Sequence, residues 1–200
     1  VRRRFCVPMM ALCLLLTGCG GGKGGQDAAQ AAREPFQKMS GCTMTADVSC
    51  GAGTDEESSF TMKCTYVPDG ACTVEVLAPE TVAGVRAAVD GEDLTLTYDG
   101  DRCLNAGTLS GEQVSPVACL PRLMDALRRG WLLEEGQEKR GDTPCLRLSF
   151  DQTGAKSKIV SSVWLRREDG IPLYGEISVD NEIILKAEFT NFQFGDILQN

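Results

Sequence analysis

Residues 42–50 alternate apolar and polar without a break: Cys42, Met44, Ala46, Val48 and Cys50 are separated by Thr43, Thr45, Asp47 and Ser49. Strand side chains point alternately to opposite faces, so the pattern predicts a strand with one face buried and disfavours a helix of period 3.6. Phe60, Met62, Cys64 and Tyr66 repeat it, as do Cys72, Val74, Val76 and Ala78. Between these runs lie Gly51-Ala52-Gly53-Thr54-Asp55-Glu56-Glu57 and Val67-Pro68-Asp69-Gly70, both rich in turn formers.

The alternation continues downstream. Val85, Ala87 and Val89 lead into Asp90-Gly91, and Leu94, Leu96 and Tyr98 lead into Asp99-Gly100. Asp169-Gly170 and Asp180-Asn181 separate three further runs, Val163–Leu165, Leu173–Ile177 and Ile183–Phe189. Asp-Gly between alternating segments is a strong hairpin signal, which gives these acids a local task at turns. None of the turns carries the oxygen-ligand spacing of an EF-hand loop. One helix interrupts the strands: Leu120, Leu123, Met124 and Leu127 are spaced for a single face. Ser115 or Pro121 marks its start, and Arg128, Arg129 and Gly130 mark its end. A shorter alanine-rich helix is expected over Asp27–Ala32, interrupted by Pro35. Strands with helices on a single face make an α+β architecture.

The N-terminus has a different character. Arg2, Arg3 and Arg4 precede an apolar run from Phe5 to Leu16, too short to span a bilayer, which needs about 20 residues. A basic start, an apolar run and small residues before a cut describe a secretory signal. Leu16-Thr17-Gly18-Cys19 resembles the lipobox of bacterial lipoproteins. The resemblance implies a signal peptide over 1–18, diacylation of Cys19 and attachment to the extracytoplasmic face of the cell membrane. Two acyl chains hold firmly where one holds marginally. Gly20-Gly21-Gly22-Lys23-Gly24-Gly25 follows, and 19–35 is expected to be a flexible tether. Roughly 15 such residues have a reach of about 20–25 Å.

Cleavage removes three arginines and no acid, so the −8 of the whole chain becomes more negative still. Nucleic acid, bound through Lys and Arg contacts to phosphate, is excluded as a partner by that balance. The rest is long enough for one domain with a real core, read as 36–197. Eight cysteines remain: Cys19, Cys42, Cys50, Cys64, Cys72, Cys103, Cys119 and Cys145. With Cys19 acylated the remainder is odd, so full internal pairing is impossible. Cys64 and Cys72 flank a turn and could oppose each other on neighbouring strands. The alternative is that the thiols act as small buried hydrophobes. No Cys-x-x-Cys occurs, which leaves a zinc ribbon or thioredoxin-like centre unsupported.

Four stretches carry a likeness to a known superfamily. Leu77-Ala78-Pro79-Glu80-Thr81-Val82-Ala83-Gly84-Val85 looks like its crossover between early strands, and Asp93–Gly100 like the strand that follows. Val163-Trp164-Leu165-Arg166-Arg167-Glu168-Asp169-Gly170-Ile171-Pro172-Leu173 looks like its hairpin, with Arg166 where aspartate is common, and Asn191-Phe192-Gln193-Phe194 looks like its closing strand. In this order they resemble the LolA/LolB/RseB superfamily over roughly residues 36–195. The resemblance implies a curved antiparallel half-barrel sheet with one or two helices on its concave face, enclosing an apolar cavity for a lipid or lipoprotein acyl chain. The cavity residues it implies are Met44, Val48, Phe60, Met62, Val74, Val76, Leu94, Leu96, Leu123, Met124 and Leu127. The same side chains would equally pack a closed core. A second branch, the GerS-type germination lipoproteins, implies instead an adaptor that binds and regulates a spore-cortex amidase.

Enzymatic readings find little support. The chain has no histidine, which removes Ser-His-Asp and Cys-His nucleophiles and histidine-ligated metals. It has no Gly-x-Ser-x-Gly, P-loop or dinucleotide fingerprint. Adjacent acids such as Glu56-Glu57 and Glu134-Glu135 point to opposite faces of a strand or lie solvated in loops. Cys103 beside Arg102 is the candidate for an activated thiol. The expectation is a non-catalytic binding lipoprotein without cofactor or metal, whose partners are the membrane, a hydrophobic ligand and a possible protein.

Overall fold

The structure, a computed structural model, describes residues 23–51, 57–91, 93–98, 102–108, 114–154 and 157–195, with side chains described from Ala28 onward except those of 102–108. The strands are β1 (Cys42–Cys50), β2 (Ser58–Tyr66), β3 (Cys72–Ala78), β4 (Arg86–Asp90), β5 (Asp93–Tyr98), β6 (Arg102–Thr108), β7 (Trp131–Arg140), β8 (Thr143–Asp151), β9 (Ile159–Arg166), β10 (Pro172–Val179) and β11 (Glu182–Phe194). They form one curved, unclosed antiparallel sheet in the order β6-β5-β4-β3-β2-β1-β11-β10-β9-β8-β7. Two meanders, β1–β6 and β7–β11, are therefore joined where β1 pairs with β11.

That order dictates where a helix must go. Strands β6 and β7 lie at opposite edges, so the chain between them crosses the whole sheet. Helix α2 (Cys119–Arg129), entered through a 3-10 turn at Pro116–Ala118, makes the crossing. Its Leu120, Leu123, Met124 and Leu127 are fully buried, and it packs on β2, β8, β9, β10 and β11. The approach is close: a Cβ added to Gly175 of β10 would lie 2.5 Å from Leu123 Cδ1. At the helix exit, a Cβ on Gly130 would lie 2.5 Å from the Ala126 carbonyl oxygen and 2.9 Å from Phe150 Cβ, so glycine is required there.

The N-terminal helix corrects two expectations. Helix α1 (Lys23–Lys38) occupies most of the segment expected to be a flexible tether over 19–35, and it runs through Pro35 instead of stopping before it. Tertiary packing overrides the weak local propensity of Gly24, Gly25 and Pro35. Ala29 and Phe36 are buried, and the Phe36 ring meets Phe192 and Phe194 at 5.9 and 5.1 Å. Residues 1–22, including the signal and Cys19, lie outside the described residues.

The β2–β3 turn is as expected, with the Gly70 N–H donating to Val67 O at 3.2 Å. Its register separates the two thiols, however, since Cys64 partners Val74. Cys42, Cys50, Cys64, Cys72, Cys119 and Cys145 are free, and all but Cys50 are buried.

Candidate functional site

The eleven residues implied as cavity lining lie together on the helix-bearing face. Met44, Val48, Met62, Val74, Val76, Leu94, Leu123, Met124 and Leu127 belong to one buried cluster, with Phe60 and Leu96 packed against it half-buried. Leu123, Met124 and Leu127 of α2 pack into that cluster, and the four cavities bordered by Tyr66, Gln30, Lys38 and Ala28 are lined by other residues. One such cavity borders α1.

A groove of about 400 Å³ runs between α1 and the sheet. Its helical wall is Ala28, Ala31, Ala32 and Pro35, which recur at helical spacing on one face, and its floor includes Leu146 of β8 and Leu165 of β9. The physical origin is plain: alanine side chains are too short to reach the strands beneath them. The rim is polar. Arg167 Nη1 donates to Gln137 Oε1 at 3.2 Å, and Arg166 Nε donates to Asp169 Oδ1 at 3.0 Å. An apolar trough ending at two arginines balanced by Glu168 and Asp169 suits a ligand with a hydrocarbon body and a polar head. Sequence reasoning missed this site; the signal present was the alanine triad at 28, 31 and 32.

A second cavity of about 360 Å³ opens where α2 ends over the β2–β3 turn. Tyr66 donates to Asp125 Oδ1 at 2.6 Å, Arg129 Nη2 donates to Asp125 Oδ2 at 3.1 Å, and Arg128 pairs with Asp69. Burial, then the bond to Asp125, pushes the Tyr66 phenol above its ordinary value. The Arg128 hydrogen bond holds the Asp69 carboxyl below its ordinary range. These groups satisfy one another and latch the turn onto α2.

On the outer face, Cys145, Trp164 and Tyr174 form a small separate core. Arg140 stacks over the Tyr174 ring at 3.4 Å, and Trp164 Nε1 donates to Glu138 Oε2 at 2.8 Å.

The buried thiols are poor nucleophiles. Burial pushes Cys42 and Cys119 up to about 12 and Cys64 well above its ordinary value, which suppresses the thiolate. The side chain of Cys103, the residue singled out for thiol chemistry, lies outside those described. Among the described residues no group of three or more His, Cys, Asp or Glu is placed to hold a metal. No described helix is long and apolar enough to cross a membrane.

No protein-family model matches the sequence, and no curated protein matches it. Solved structures similar in fold include LprF from Mycobacterium bovis, 12% identical, covering 90% of this chain and 97% of that one with a TM-score of 0.48. A LolA superfamily protein from Nitrosomonas europaea is 12% identical over 87% of this chain and 94% of its own, with a TM-score of 0.45. Lipoprotein LppX from Mycobacterium tuberculosis is 14% identical over 84% and 93%, with a TM-score of 0.42.

Proposed function

We propose that the chain is an extracytoplasmic lipoprotein, tethered through acylated Cys19, that binds a hydrophobic ligand such as a lipid or lipoprotein acyl chain without covalent chemistry. The supporting observation is the groove beneath α1: about 400 Å³, walled by Ala28, Ala31 and Ala32, floored by Leu146 and Leu165, and rimmed by Arg166, Arg167, Glu168 and Asp169. Pockets for small ligands are concave, mostly apolar and carry a few polar groups, with volumes of about 300–1,000 Å³.

The test is native mass spectrometry of the mature chain purified in mild detergent from its own host. Extra mass that organic solvent releases as a small lipid supports the reading, and its loss in an Ala28→Leu/Ala31→Leu variant that fills the groove assigns it there. A bare chain overturns it. A chain carrying another protein favours the adaptor reading, in which a cell-wall amidase is bound and regulated. The observation on that side is the packing of Leu123, Met124 and Leu127 of α2 into the buried cluster of the sheet.

A further inference from the structure

Trp131 and Leu133, at the start of β7, are 77% and 49% exposed. Strand β7 is a sheet edge, and its register with β8 skips between Leu132 and Glu134. Leu133 is thus the extra residue of a bulge, a device that re-aims a side chain at an edge. Scattered exposed apolar residues are ordinary. The position of this pair is not.

Arg33 of α1 donates from Nη2 to Gly130 O at 2.9 Å, gripping the carbonyl that leads into Trp131. Trp131 also shares a cleft of about 300 Å³ with Gln30 and Arg33. Gln30 stands seven residues into α1, about 10 Å of helix from Lys23. Cys19 precedes Lys23 by four residues, which span at most about 14 Å. Acyl chains on Cys19 therefore bring a bilayer within about 25 Å of Gln30, which lines the same cleft as Trp131. Phe194, exposed as well, lies instead beside Pro35 and Lys38 at the opposite end of α1. Beyond the bulge, Arg147 holds Glu134 at 3.0 Å and Glu138 at 2.7 Å, which reduces repulsion from phospholipid phosphates.

We propose that Trp131 and Leu133 rest in the headgroup–acyl boundary of the membrane that holds Cys19, as a second contact that fixes the orientation of the domain. Indole joins a large apolar body to a polar N–H and is favoured at that depth, and leucine adds apolar area. The inference rests on the acylation of Cys19 in the proposed function.

The experiment uses the full chain, expressed with its own signal and reconstituted into phosphatidylcholine–phosphatidylglycerol vesicles with or without brominated acyl chains. Flotation and the mass of the Cys19 peptide are read on the same sample. Brominated lipid is expected to remove the Trp131 share of the fluorescence and spare Trp164, which is buried against Tyr174. Trp131→Phe should abolish the loss, and Leu133→Asp should reduce it. Floating, acylated protein whose Trp131 emission is unquenched overturns the membrane contact alone and leaves the patch to a protein partner. Unacylated Cys19 with protein that fails to float overturns both the contact and the tether.

Discussion

Arg33 and Gly130, 97 residues apart, are joined by a 2.9 Å hydrogen bond from the guanidinium to the carbonyl that closes α2, and Arg33 Nε reaches Leu127 O, also at 2.9 Å. A cation capping unsatisfied carbonyls at a helix C-terminus is favoured by both hydrogen bonding and the helix dipole. The Arg33 guanidinium also lies 4.9 Å over the Phe150 ring. This one side chain docks α1, caps α2 and orients the entry to β7.

Arg33→Ala is expected to cost about 1.5–3 kcal/mol, the range for hydrogen bonds to a charged group. Arg33→Lys should recover only part, because an ammonium cannot present the planar fork that reaches two carbonyls. Urea denaturation reads the loss. Equal stability of the alanine variant and wild type would refute the docking role.

Gly175→Ala is expected to destabilise by about 1–3 kcal/mol, since the new methyl group meets Leu123 within a filled core. Gly175→Ala combined with Leu123→Ala should cost less than the sum of the single changes, because each relieves the other. Strict additivity in a thermal or urea double-mutant cycle would rule out that contact.

Stability should fall in alkali. Burial raises Cys42 and Cys119 from 9.0 to about 12, so the unfolded chain ionises them first. Their contribution is complete below pH 9 and is lost as pH rises toward about 12. Tyr66, raised by burial and by Asp125, adds to the loss above its ordinary value of 10.0. Urea midpoints between pH 8 and 11 test this; replacing both cysteines by alanine should flatten the slope.

Glu138 behaves oppositely in acid. The Trp164 N–H chiefly, with Arg147, holds its carboxyl below the ordinary 4.5. The resulting stability is present above that value and is lost as pH falls through the folded pKa. The carboxylate is largely exposed, so the energy is small. A change in Trp164 emission on acidification, absent in Glu138→Gln, is the expected signature, and an identical titration in the variant would contradict it.

Much of the fold was legible because a half-buried strand writes its period into its residues. β1, β2 and β3 were readable from Cys42 to Ala78, and α2 from Leu120, Leu123, Met124 and Leu127. β7 was not. At an edge few side chains are buried, so Trp131-Leu132-Leu133-Glu134-Glu135 carries no alternation. α1 was hidden by Gly24, Gly25 and Pro35, whose unfavourable propensities are offset by burial of Ala29 and Phe36.

The candidate site divides the same way. Local periodicity put Met44 and Val48 on one face of their strand, and the resemblance implied that Met62, Val74 and Leu123 join them. Whether that face encloses a void depends on which helix lands on it and how far its side chains reach. Tertiary packing therefore decided that leucines and a methionine of α2 fill the interior while alanines of α1 leave a groove. Sequence alone determined an acidic, histidine-free chain of alternating strands behind a lipobox-like N-terminus. The groove proposed for a ligand came only from the meeting of Ala28, Ala31 and Ala32 with Leu146 and Leu165, an arrangement that no local pattern records.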